Sequence, residues 1–130
     1  LTNLDVDQPQ DIGFVSASGS SLALVFLSLA VFPPLAEEIM FRGFLFSSLR
    51  AKFRFRYSVI VTSILFGIAH LQFGSGAPLL WVAAIDTFVL SVVLCYLREK
   101  TGSLWPSIGV HMLKNTVAFI VLFNIVDHIR

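Results

Sequence analysis

The chain has 130 residues, of which 56% are hydrophobic and 13% charged, and a mean hydropathy of +0.85. A soluble domain carries about 25% charged residues, so too few polar side chains are present to cover a water-exposed surface, and thirteen Phe residues point the same way. The net charge of +1 gives no reason to expect a nucleic-acid partner, and the single cysteine, Cys95, excludes an intrachain disulfide and leaves no CxxC or Cys/His zinc pattern. The chain belongs in a bilayer, with lipid as its immediate partner.

Residues 1–15 form a polar N-terminal loop, acidic up to Asp11 and unlike a signal peptide with a basic start. The chain starts at Leu1, which suggests a fragment of a longer membrane protein. Four apolar segments follow within a single domain spanning 1–130. The first, about Ser20 to Leu49, contains Pro33-Pro34 and Glu37-Glu38 and is expected to tilt or kink at its prolines. The second, about Tyr57 to Leu71, is short for a span and ends before the Gly-rich stretch Gln72–Gly76. The third, about Pro78 to Leu97, contains Asp86, and Cys95 within it reads as a buried structural thiol. The fourth starts near Pro106, a good first-turn residue, and runs to about Val126. A crossing helix needs about 20 apolar residues. The pattern predicts an all-α bundle of about four membrane helices.

Arg50, Lys52, Arg54 and Arg56 lie between segments one and two, and Arg98 and Lys100 between three and four. The positive-inside rule therefore places loops 50–56 and 98–100 in the cytoplasm and the Gly-rich connection outside. The expected location is a prokaryotic cell membrane.

Ionisable residues inside membrane segments are functional candidates by default. Here they form three short patterns: Glu37, Glu38 and Arg42; Phe66 and His70; His111 and Asn115. Glu38 and Arg42 are four apart and share a helix face, as do His111 and Asn115. At about 1.5 Å per residue, Glu37, His70, His111 and Asn115 all fall roughly 12–20 Å from the basic ends of their segments. Three helices thus deliver polar groups to one level, and the topology that says so came only from Lys and Arg.

Such a cluster suits hydrolysis. A carboxylate can take a proton from water while a histidine orients that water. A second histidine and an amide can donate to the oxyanion that forms at a peptide carbonyl. Arg42 would hold one of the two carboxylates charged and leave the other free to act as base. Asp86 reads as a polar contact within the bundle, Lys114 as its partner or a snorkelling cation, and Trp105-Pro106 as an interface anchor and helix start. A non-catalytic immunity or scaffold protein binding a peptide partner is the competing reading, and a haem- or ion-binding bundle using His70 and His111 is a third.

The three patterns resemble the signature of the CAAX protease and bacteriocin-processing family of intramembrane peptidases, which includes the type II CAAX prenyl endopeptidases. That signature, EExxxR then FxxxH then HxxxN or HxxxD, matches Glu37, Glu38 and Arg42; Phe66 and His70; and His111 and Asn115. The resemblance covers about Pro33 to Val121 and extends to Phe41-Arg42-Gly43 and Ser103-Leu104-Trp105-Pro106. It implies a multi-helix bundle, with further helices upstream in other members, and cleavage of a peptide or prenylated-protein substrate. It implies Glu37 as the water-activating carboxylate with His70 its partner, His111 and Asn115 as the oxyanion site, and Glu38 and Arg42 as support. Metal-free, glutamate-dependent hydrolysis is the favoured expectation. The alternative is zinc held by Glu37, His70 and His111 with water in the fourth position.

Overall fold

A computed structural model describes residues 20–71 and 81–129, with side chains described as far as Phe123 in the last helix. The expected N-terminal loop, the Gly-rich connection and the start of the third segment at Pro78 lie outside these residues. The described residues form four helices and contain no strand. Helix α1 runs Ser21–Arg50, α2 Phe55–Ala69, α3 Trp81–Thr101 and α4 Trp105–Ile129. α1, α3 and the Trp105–Phe123 part of α4 are long and apolar enough to cross a membrane. α2 has 15 residues, roughly 22 Å of helix, which falls short of a hydrocarbon layer of about 30 Å.

Local chemistry sets the boundaries. The chain leaves α1 through a tight turn in which Lys52 and Phe53 donate back to the Leu49 carbonyl, and Arg54 is extended before α2 begins. α3 ends at Gly102, whose φ of 67° places it in the left-handed region while its N–H closes on the Arg98 carbonyl at 3.0 Å. Pro106 then sits in the first turn of α4, where a missing N–H costs nothing. Short connections of this kind make consecutive helices antiparallel neighbours.

α1 is a helix with two wide turns rather than a simple kink. Leu27–Val31 and Ile39–Phe46 are π-helical, separated by the α-helical Phe32–Glu38. The expected disturbance at Pro33-Pro34 therefore takes the form of a widened turn just before them. A proline ring clashes with the carbonyl four residues earlier and supplies no N–H to it. Opening the preceding turn relieves that clash.

Hydrophobic burial does not drive helices together inside lipid, so close packing and interhelical hydrogen bonds must. The interior is accordingly lined with small and hydroxyl-bearing residues: Ser58, Thr62 and Ser63 on α2, Ser91 and Cys95 on α3, and Ser107 on α4, all fully buried. The Ser107 hydroxyl donates to the Leu94 carbonyl at 3.1 Å and ties α4 to α3. Nearer the basic ends, Phe46, Val59 and Cys95 pack together with Phe55 against them. There Arg50 makes a two-pronged pair with Glu99 at 2.7 and 3.0 Å, joining the ends of α1 and α3. Many large apolar side chains, including Phe44, Leu24 and Ile85, face outward as a lipid-exposed surface requires.

α2 and α3 approach closely at Gly67, where a built Cβ would stand 2.9 Å from the Ala84 carbonyl oxygen. A Gly67→Ala substitution should therefore destabilise the bundle by about 1–3 kcal/mol through overpacking. Gly109→Ala, where nothing lies within 4 Å, should be neutral or stabilising by up to about 1 kcal/mol from helix propensity. Thermal unfolding of both variants in detergent checks the contrast.

Candidate active site

Two carboxylates at the end of the α-helical part of α1 meet two histidines from α2 and α4. Glu38 and Arg42 are both fully buried, and Arg42 Nη1 donates to Glu38 Oε1 at 2.9 Å. The same oxygen lies 3.0 Å from His111 Nδ1. A carboxylate paired with arginine only accepts, so the proton in this contact sits on His111 Nδ1. One oxygen thus fixes a guanidinium from its own helix and an imidazole from α4.

Glu37 is adjacent in sequence but faces a different environment, and its side chain is 26% exposed. Its Oε2 lies 3.6 Å from His111 Nε2 and 3.9 Å from His70 Nε2. Both separations exceed direct hydrogen bonding. His111 is buried, whereas His70 is 30% exposed.

His70 owes its orientation to the end of α2. The helix stops at Ala69, and the His70 N–H turns back to the Gly67 carbonyl at 3.0 Å. The Phe66 carbonyl is thereby left without its usual i+4 donor. The ring of His70 takes that place, with Nδ1 2.8 Å from the Phe66 oxygen. A carbonyl can only accept, so Nδ1 carries the proton and Nε2 is the atom turned to Glu37.

Phe66 is more than a spacer. It is fully buried, and Arg42 Cζ lies 4.5 Å from its ring centroid. The rings of His70 and His111 stand 4.7 and 5.8 Å away, and Phe41 packs edge-on at 4.8 Å. One phenyl ring therefore contacts the guanidinium and both imidazoles, with cation–π attraction holding the first. The sequence pattern suggests only a supporting role for this residue. Its i+4 spacing from a helix-ending histidine was the available signal.

The structure thus brings Glu37, Glu38, Arg42, Phe66, His70 and His111 into one cluster. Asn115, one turn beyond His111 on α4, donates through Nδ2 to the Leu29 carbonyl at 3.1 Å, in the first π-helical turn of α1. Asp86 pairs with Lys114 across α3 and α4, both side chains being partly exposed. Among the described residues no three His, Cys, Asp or Glu side chains converge as a metal-ligand set.

Over residues 19–117 the chain matches the family described as "Type II CAAX prenyl endopeptidase Rce1-like". It is 29% identical over 105 residues to the "Putative membrane peptidase YdiL" of Bacillus subtilis (strain 168), an overlap of 81% of this chain and 39% of that protein. It is 27% identical over 109 residues to an "Uncharacterized 24.3 kDa protein" of Escherichia coli, covering 82% of this chain and 48% of that one. The chain therefore spans less than half the length of either relative. No solved structure matches it. With three helices of membrane-crossing length and composition, this is an integral membrane protein.

The buried pair makes a sharp prediction. Glu38→Leu alone leaves Arg42 charged, buried and unpaired, and should cost about 3–5 kcal/mol of stability. Replacing both partners, Glu38→Leu with Arg42→Met, should recover most of that loss. Unfolding midpoints of the single and double variants in detergent decide between recovery and simple addition.

Proposed function

The chain belongs to the type II CAAX prenyl endopeptidase Rce1-like family, and from that premise we propose that it carries the catalytic centre of an intramembrane endopeptidase. The observation that supports this most directly is the position of Glu37 Oε2 between the Nε2 atoms of His70 and His111. Each of those rings is already committed at Nδ1, to the Phe66 carbonyl and to Glu38. Both therefore present their second nitrogen to the same carboxylate oxygen.

In this reading a water bridges Glu37 and His70. It donates one hydrogen to the carboxylate and the other to the bare Nε2 of His70, which turns an oxygen lone pair toward the substrate carbonyl. Glu37 takes the proton as the oxygen attacks and passes it to the departing amine. His111, when protonated, offers an Nε2–H to the oxyanion that develops on the carbonyl, while Glu38 offsets the charge of its ring. Arg42 donates to the same Glu38 oxygen. Glu38 thus supports the reaction without touching the substrate, and Glu37 is the base.

We propose a metal-free reaction and derive no step through zinc, although rings held at Nδ1 with Nε2 free are also oriented as zinc ligands are. The substrate is a peptide or prenylated protein that enters from the membrane. With loops 50–56 and 98–100 in the cytoplasm of a prokaryotic cell, cleavage takes place nearer the cytoplasmic face. The bacterial origin of both relatives supports that setting.

Cleavage of a prenylated CAAX peptide by the purified protein in detergent tests the reading. Glu37→Gln should lower the rate at least about 10²-fold, the scale of general-base catalysis, without moving the unfolding midpoint. A Glu37→Gln variant that cleaves at the wild-type rate would sink the peptidase reading. The wild-type rate should survive a chelator. Loss on chelation that zinc restores would overturn the metal-free mechanism while leaving the peptidase.

A further inference from the structure

We infer that Asn115 is a positioning residue whose side-chain amide replaces the main-chain donor that Pro33 and Pro34 withhold from the Leu29 carbonyl, and so holds α1 in the shape that presents Glu37. This rests on the peptidase reading above only for its catalytic consequence. The structural part stands on its own.

In an α-helical register the Leu29 carbonyl accepts from the N–H of residue 33, and in a π-helical register from that of residue 34. Both residues are proline. The widened turn Leu27–Val31 therefore cannot serve this carbonyl in either register. The Phe32 N–H is occupied as well, closing on the Leu27 carbonyl. Inside a bilayer, water is not available to replace the missing donor, and an unsatisfied backbone carbonyl there is costly. Asn115 Nδ2 stands 3.1 Å from the Leu29 oxygen.

One turn earlier on the same face of α4, His111 holds Glu38 at 3.0 Å. α4 thus grips α1 at two points, Leu29 and Glu38. The two prolines, the distorted backbone at Val31 (φ −115°, ψ −61°) and Glu37 all lie between them. Releasing the Asn115 grip frees the segment that carries Glu37. This role differs from direct donation to the reacting oxygen, because it acts through the α1 backbone.

Restoring the missing donor separates the two roles. Asn115→Ala should lower both the unfolding midpoint and kcat in the intact membrane protein. Adding Pro33→Ala, which gives Leu29 an i+4 N–H, should recover most of both losses. Pro34→Ala, which supplies the i+5 donor, provides a second route should the first variant fold poorly. The inference is overturned if Asn115→Ala leaves the midpoint unchanged. It is equally overturned if kcat falls by the same factor in the proline and alanine backgrounds, as a direct oxyanion donor requires. If the wild-type protein cleaves no prenylated peptide, the peptidase reading fails and the midpoint cycle alone decides the role of Asn115.

Discussion

The arrangement depends on a single carboxylate oxygen. Glu38 Oε1 accepts from Arg42 and from His111, in a part of the bundle where all three side chains are buried. A buried carboxylate and a buried guanidinium are each prohibitively placed without the other. The pair therefore has to form, and its formation fixes the rotation of α1 about its axis. That rotation carries Glu37, the next residue, to the partly exposed side. There its oxygen meets the free nitrogens of both histidines. The sequence Glu-Glu thus separates two tasks, one structural and buried, the other open and chemical.

Irregular backbone supplies the second constraint. In two places a helix loses a main-chain donor, at the end of α2 and at the prolines of α1. In both, a carbonyl left short is taken by a side chain of a motif residue, His70 on Phe66 and Asn115 on Leu29. In water such carbonyls would be hydrated at little cost. In lipid they need a partner from the protein, so each irregularity orients a polar side chain. The wide turns of α1 belong to the same logic, since π-helical turns recur at functional sites. Aromatic contacts complete the frame, with Phe66 touching the guanidinium and both imidazole rings.

Much of this was legible in the sequence because the membrane simplifies reading. Apolar segment length gave the helices, and loop charges alone brought Glu37, His70 and His111 to one depth. The shortness of α2 was visible in its composition. The pairing of Glu38 with Arg42 followed from i,i+4 geometry, and Lys114 was an evident candidate for Asp86. What remained hidden were contacts to main-chain atoms, which leave no side-chain pattern. Nothing in His111-Met112-Leu113-Lys114-Asn115 names Leu29 as a partner. The clue lay elsewhere, in two prolines four and five residues after it, which were legible as a bend but not as an orphaned carbonyl. The further contact of His111 with Glu38 was likewise hidden, because depth brings residues together without choosing which of two adjacent carboxylates faces which ring.

The central claim is that Glu38 holds His111 through Nδ1 and leaves Nε2 for chemistry. Nitrogen-15 NMR of the histidine rings in lipid measures this directly. The account predicts that His111 carries its proton on Nδ1, hydrogen-bonded to a carboxylate, and that this signature disappears in Glu38→Gln. A neutral His111 protonated at Nε2 with a bare Nδ1, unchanged by that substitution, would contradict it.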